Sequence, residues 1–228
     1  MTTAGKSLNH KGHEGSRREP GGSTIRLGPR FLRAFQFAAE KHAGQLRKAS
    51  TIPYIAHLMG VASIVLEAGG DEDLAIAALL HDVVEDCGGM PMLKEVRRRF
   101  GKRVAQVVDG CTDADTDPKP PWRGRKEKYI RHLKTADADT RLVSAADKLN
   151  NLRSILSDYR AIGESVWSRF HGGREGTLWY YRALLDVFLR HRRNRITREL
   201  ELAVSELETL SAGKAISGGL DSQPAVEA

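Results

Sequence analysis

Cysteine and aromatic residues are scarce in this sequence, and a membrane-length apolar run is missing. Two cysteines in 228 residues, Cys87 and Cys111, exclude a disulfide framework and suit a reducing, cytoplasmic setting. Phe, Trp and Tyr make up only 6% of the chain, which with the abundance of Ala, Leu, Arg and Glu in its middle points away from a β-sandwich and toward helices. No apolar stretch reaches the roughly 18–20 residues of a membrane span. Residues 1–28 lack the apolar centre of a secretory signal. What is present is ordinary for a globular protein: 40% hydrophobic and 29% charged residues, which exclude a fully disordered chain. The length suffices for one well-cored domain and is short for two.

The formal net charge is +7. Much of the excess lies in residues 190–198 (RHRRNRITR) and at the front of residues 119–128. A basic run on a late helix reads first as a solvated face, and local positive charge beside a pocket also suits a small polyanion such as a nucleotide. Net charge alone does not choose between these partners; with the site residues described below, nucleic acid is not the expected one.

Residues 1–28, rich in Gly, Ser, Arg and His without periodicity, read as a disordered tail, 29–210 as one compact helical domain, and 211–228 as a second flexible tail. Phe31, Ala34, Phe35, Ala38 and His42 recur at helical spacing, with Pro29 in the first turn and Gly44 closing the helix. Further helices are predicted over 54–68, 74–85 (capped by Asp71 or Asp73 and stopped at Gly88-Gly89), 93–100 and 102–108. Beyond the Pro-rich stretch 112–125, in which Trp122 is a candidate lid over a ligand, helices are predicted over 125–134 and 141–158, the latter started by Asp139 or Thr140. A long or once-broken helix follows over 177–210. No segment has strand periodicity and no internal repeat exists; the fold class is all-α.

The informative residues are polar ones lodged in apolar helix faces. His81 and Asp82 interrupt LAIAALLHDVVEDC directly after seven apolar residues, and Glu85 and Asp86 follow one turn later. His57 sits inside IAHLMGVASIVL, and Asp147 inside RLVSAADKLNNLRSIL with Asn151 one turn on. A buried carboxylate requires a cationic partner, and Lys148, adjacent in sequence, is expected to point elsewhere on its helix. One His-His-Asp-Asp site around a divalent metal accounts for all three anomalies together.

The ordered series His57, His81-Asp82, Asp147 resembles the HD superfamily of metal-dependent phosphohydrolases. HAGQLRKASTIPYIAHLMGVASIV, AALLHDVVEDC, FGKRVAQVVDGCT and LVSAADKLNNLRSIL are similar to successive motifs of the alarmone (ppGpp) hydrolase domain of RelA/SpoT homologues and of the free-standing small alarmone hydrolases. The resemblance covers about Phe31 to Leu189 and favours the stand-alone type, with GGREGTLWYYRALLDVF fitting as well. It implies an HD-type helical domain and four metal ligands, His57, His81, Asp82 and Asp147, for manganese or another divalent ion. It implies that Glu85 and Asp86 position and activate the attacking water, and that Arg47 and Lys48 lie beside the nucleobase. It places Asn151 near the ribose, Ser154 where a small hydroxyl residue is common, and Arg174 near the phosphates. Arg123, Arg125 and Lys126 are further candidates for the pyrophosphate. The chain departs from the family pattern at Ala49-Ser50, Leu58, Cys87 and Asn150, the last standing where His or Tyr is frequent, and no ligand or catalytic acid is lost.

The implied reaction is metal-dependent release of the 3′-pyrophosphate of (p)ppGpp as pyrophosphate, leaving GDP or GTP. The alternatives are hydrolysis of (p)ppApp or another nucleotide or phosphomonoester, or a non-enzymatic nucleotide- or nucleic-acid-binding regulator. Spacing does not assign acid and base between Glu85 and Asp86, and the sequence leaves the preferred base and the oligomeric state open.

Overall fold

A computed structural model describes residues 25–113, 118 and 120–217, with side chains through residue 213. In chain order the helices are α1 (Pro29–Lys41), α2 (Ile55–Glu67), α3 (Glu72–Leu80), α4 (Val83–Cys87), α5 (Gly89–Phe100), α6 (Lys102–Cys111), α7 (Trp122–Thr135), α8 (Ala138–Ile162), α9 (Gly173–His191) and α10 (Arg195–Ser217), with a 3-10 segment at Gly163–Arg169. Among the described residues the only strand-like pairing is an isolated bridge between Leu46 and Pro53. The all-α reading holds.

α3 lies at the centre. Every residue from Leu74 to Leu80 is buried, so this helix has no solvent face, and α1, α2, α6 and α8 pack around it. α8 is the second spine, contacting α2, α3 and α6 as well as α9 and α10. α1 buries Ala34, Phe37 and Ala38, while Phe35 is 37% exposed. Phe37, not the predicted Phe35, packs edge-on against Phe100.

The helix predicted over 74–85 is two helices. Asp71 caps α3 by accepting the Leu74 N–H at 3.1 Å, and the helix ends at Leu80 because His81 Nδ1 donates to the Ala78 carbonyl at 2.8 Å, occupying the acceptor of the next helical bond. α4 then runs only to Cys87. Gly88 and Gly89, both at positive φ, turn the chain so tightly that α5 starts at Gly89.

α8 begins earlier than predicted because Asp137, rather than Asp139 or Thr140, is the cap, accepting the Thr140 N–H at 2.7 Å. The late helical stretch is broken once, at residues 192–194, where Asn194 and Thr197 exchange side-chain and backbone hydrogen bonds to start α10. α10 continues past residue 210 to Ser217, with Ser211 buried and bonded to the Leu207 carbonyl. The rest of the expected C-terminal tail, and residues 1–24 of the N-terminal one, lie outside the described residues.

Candidate active site

His57 from α2, His81-Asp82 from the α3–α4 junction and Asp147 from α8 converge, although 90 residues separate the first from the last. His57 Nε2 lies 3.3 Å from Asp147 Oδ1 and 3.5 Å from Asp82 Oδ2. His81 Nε2 lies 3.0 Å from Asp82 Oδ2 and 3.6 Å from Asp147 Oδ1. Among the described residues, His57, His81 and Asp147 form a group whose ligand atoms all lie within 4.8 Å of one another; Asp82 stands outside that group, with Oδ2 beside both imidazoles.

The outer nitrogens settle what the inner ones can do. His81 Nδ1 donates to the Ala78 carbonyl, and His57 Nδ1 donates to Asn150 Oδ1 at 2.7 Å. Both Nε2 atoms therefore face the centre, and His81 Nε2 is buried without a hydrogen-bond partner. Two imidazole lone pairs and two carboxylates facing one another are a donor set for a divalent cation of borderline softness, so the residues fit the metal that the sequence implied. Without the cation, protons take its place. Burial disfavours charge on His81, but the Asp82 and Asp147 carboxylates outweigh it and hold this imidazole well above its usual range; His57 is raised by the same two partners against the same burial. Against the burial that would protonate them, Asp82 is held well below the ordinary carboxylate range chiefly by His81, and Asp147 chiefly by Lys148.

Glu85 and Asp86 stand on α4, one turn beyond these ligands. Glu85 Oε2 accepts the backbone N–H of Asp113 at 3.4 Å, and Asp86 Oδ2 accepts from Gln45 Nε2 at 2.9 Å. Beside the cluster opens a cavity of about 460 Å³ whose wall includes Arg47, Lys48, Tyr54, Trp122, Lys126, Lys148, Asn151, Ser154, Phe170, Tyr180 and Tyr181. Asp147, Asn151 and Ser154 follow one stripe of α8, and Arg47 bridges it: Nη2 donates to Asn151 Oδ1 at 3.2 Å and to Ser154 Oγ at 3.1 Å. Lys48 reaches over the Phe170 ring. Lys126, paired to Asp113, is lowered by burial and by its neighbour Lys148.

Arg174 is the one implied substrate contact that the structure does not bring here. Gly173, at φ +56°, opens α9 and turns Arg174 toward α10, where Nη2 donates to the Ser211 carbonyl at 2.8 Å. Arg123 stacks on Trp179 and Arg125 pairs with Asp113, leaving Lys126 as the cavity cation of that trio. Trp122 opens α7, outside the loop to which the sequence reading assigned it, and forms part of the cavity wall. Its ring packs edge-on against Trp179 and Tyr180, in a space left by Gly172, where a Cβ would come within 2.6 Å of it.

Four residues escaped the sequence reading or were misplaced by it. Lys148 does not point away from Asp147; its long stem folds back so that the ammonium pairs with that carboxylate and lines the cavity. Tyr54 donates to Asp82 Oδ2 at 2.7 Å, and burial with this carboxylate pushes its phenol far above the ordinary range. Asn150 orients His57, and Gly60 makes room for it: a Cβ at Gly60 would lie 2.3 Å from Asn150 Nδ2. The sequence did carry two signals, a polar Asn150 beside Asn151 in α8 and a glycine, Gly60, inside the apolar run of α2.

An HD domain family model matches residues 34–178. The guanosine-3′,5′-bis(diphosphate) 3′-pyrophosphohydrolase MESH1 of Xenopus tropicalis is 42% identical over 128 residues, 55% of this chain and 69% of that protein, and its human counterpart is 41% identical over the same shares. The guanosine-3′,5′-bis(diphosphate) 3′-pyrophosphohydrolase of Aquifex aeolicus is 39% identical over 126 residues, 54% of this chain but only 17% of that longer protein. Among solved structures, a metazoan orthologue of SpoT described as hydrolysing ppGpp superposes with a TM-score of 0.63 at 28% identity, covering 80% of this chain and 96% of that one. The lmo0812 protein of Listeria monocytogenes gives 0.58 at 29% identity, covering 66% and 97%. With the histidine–aspartate cluster at its centre and the family match spanning more than half its length, the chain belongs to the HD-domain family, beside its MESH1- and SpoT-type members.

Proposed function

We propose that this protein hydrolyses the 3′-pyrophosphate of alarmone nucleotides such as (p)ppGpp, with a divalent cation, manganese by preference, held by His57, His81, Asp82 and Asp147. The observation that carries the reading is the buried His81 Nε2, without a hydrogen-bond partner and aimed between two carboxylates and a second imidazole, beside a cavity that Tyr54 and Lys148, the partners of Asp82 and Asp147, help to line. When bound, the metal supplies Lewis acidity at a phosphoryl oxygen and a lowered pKa for a coordinated water.

The chain's own residues do the rest. Arg47, held flat between Asn151 and Ser154, offers a planar guanidinium face to a purine, with Lys48 beside it. Asn151 is in reach of the ribose, and Lys126 and Lys148 screen the charge of the 3′-pyrophosphate so that water can approach it. One of Glu85 and Asp86 takes the proton of the attacking water while the other serves the leaving 3′-oxygen, a contribution typically worth about 10²–10⁴-fold. The P–O bond to O3′ breaks, pyrophosphate departs, and GDP or GTP keeps a free 3′-hydroxyl.

A small nucleotide, rather than nucleic acid, is the proposed partner. Within residues 190–198, Arg193 pairs with Glu201, and Arg195 with Glu67 and Glu199. Among the described residues no helix is long and apolar enough to cross a membrane, and a cytoplasmic location is proposed. The test is incubation with manganese and a panel of ppGpp, pppGpp, pppApp, NADPH and simple phosphomonoesters, beside Asp82→Ala. Pyrophosphate released from ppGpp and lost in the variant is the expected result. Release of phosphate from the monoesters alone would move the chemistry elsewhere in the family, and metal binding with no turnover would favour a regulator.

A further inference from the structure

His42 and Gln45 belong to the HAGQ segment, which supplies neither a metal-type ligand nor a cavity wall, yet their side chains form a continuous path to Asp86. His42 is 4% exposed and its ring stacks on Tyr54 with centroids 5.0 Å apart. Its Nδ1 lies 2.7 Å from Gln45 Oε1, and Gln45 Nε2 donates to Asp86 Oδ2 at 2.9 Å. With Asp86 ionised, as in the role of proton acceptor, these contacts admit one arrangement of protons. An ionised carboxylate only accepts, so the Gln45 amide turns its nitrogen to Asp86 and its oxygen to His42, and His42 must then carry its proton on Nδ1. Flipping the amide would set oxygen against carboxylate.

The backbone around Gln45 is clamped as well. The Tyr54 N–H donates to the Gln45 carbonyl at 2.9 Å and the Arg47 N–H to the Ile52 carbonyl at 2.8 Å, making residues 45–47 a short extended segment. Residues two apart in such a segment share a face. Gln45 and Arg47 both turn inward, to Asp86 and to the α8 stripe, while Leu46 between them is half exposed. Asp86 itself stands on a helix of five residues, and Gln45 reaches its carboxylate from a different element.

We propose that His42 and Gln45 are positioning residues for the reaction: the buried imidazole locks the Gln45 amide, and the amide holds the Asp86 carboxylate in one orientation. The inference rests on the reading of Asp86 as one of the two proton-handling acids. Because Gln45 and Arg47 ride on one clamped segment, the element that recognises the nucleotide also sets this acid.

The test uses the full chain loaded with manganese, with ppGpp as substrate, and measures kcat, KM and manganese affinity separately. Gln45→Met keeps the shape and removes the amide; kcat falls about 10–100-fold, the range for a residue acting through another, while KM and manganese affinity stay at wild-type values. His42→Ala falls with it. His42→Asn recovers activity, because the asparagine NH2 stands where Nδ1–H stood. Asp86→Asn loses about 10²–10⁴-fold, and adding Gln45→Met to it costs little more, since both act on one group. Wild-type kcat in Gln45→Met beside an inactive Asp86→Asn would overturn the relay and leave the function intact. Wild-type kcat in Asp86→Asn would remove the assigned role of Asp86 and the relay with it. A readout independent of turnover is the nitrogen NMR spectrum of the imidazoles: His42 is expected as the Nδ1–H tautomer, and an Nε2–H tautomer would overturn the relay even if ppGpp were not the substrate.

Discussion

His57 Nδ1 donates to Asn150 Oδ1 across 2.7 Å, and this one bond ties the first turn of α2 to the middle of α8. It fixes the tautomer and the ring plane of a residue whose other nitrogen faces two carboxylates. Outer partners of metal-binding histidines typically contribute about 10–100-fold in metal affinity. Asn150→Leu is expected to weaken manganese binding by that factor with helix content unchanged, measured by titration calorimetry and circular dichroism. Unaltered affinity would show that packing alone holds the His57 ring.

Gly60 lies one turn after His57, against the Asn150 amide. A Cβ there would approach Asn150 Nδ2 to 2.3 Å, so Gly60→Ala must displace the residue that orients His57. Overpacking of this kind costs about 1–3 kcal/mol. The variant is expected to melt several degrees lower and, unlike an alanine substitution on an outer face, to lose metal affinity in parallel with Asn150→Leu.

Metal binding should depend on pH with a definite sign. In the metal-free protein the carboxylates of Asp82 and Asp147 raise both His57 and His81, His81 well above its ordinary 6.5. The protonated forms therefore persist to higher pH than for a free imidazole, and a cation must displace those protons to reach Nε2. Affinity for manganese should rise with pH through the raised values and level off above them, with protons released on binding. An affinity that is flat from about pH 6 to about pH 8, across the ordinary range of histidine, would remove the two imidazoles from the ligand set.

Arg47 makes two hydrogen bonds from one nitrogen, Nη2, to Asn151 and Ser154. Lysine keeps the charge and loses the planar guanidinium with its flat face. Arg47→Lys is expected to raise KM for a purine alarmone about tenfold, corresponding to about 1.4 kcal/mol of binding, with kcat changed little. A fall in kcat alone would instead place Arg47 in the chemical step.

Arg174 serves as a strut between α9 and α10. Losing a charged donor from the Ser211 carbonyl typically costs about 1.5–3 kcal/mol, so Arg174→Met should lower the melting temperature, by about 2–4 °C per kcal/mol for a chain of this size. KM for the nucleotide should stay at its wild-type value. A raised KM with unchanged stability would return Arg174 to the substrate side.

Much of this protein could be read from its sequence because the relevant signals are local. The glycine and proline punctuation of α1, α2 and α5 follows from backbone sterics, and the run Leu74–Leu80 announces a central helix because seven consecutive apolar residues leave no solvent face. His57, His81, Asp82 and Asp147 stood out because ionisable groups inside apolar helices are costly unless something shared compensates them. Helix starts were less legible. Asp137 outcompeted Asp139 and Thr140 as the cap of α8 by the geometry of one backbone N–H, which composition does not encode.

Tertiary structure decided what depends on direction between elements distant in the chain. Pattern alone could not show that His81 would end its own helix by bonding to Ala78, or that Lys148 would fold back onto Asp147. Nor could it separate Arg47 and Lys126, which line the cavity, from Arg174, which a left-handed glycine turns onto another helix. Sequence spacing fixes which face of a helix a residue occupies. Which nitrogen of a histidine points inward, and which neighbour's oxygen receives the other, is set only when α2, α3 and α8 pack together, because hydrogen bonds are directional while the burial that drives the packing is not.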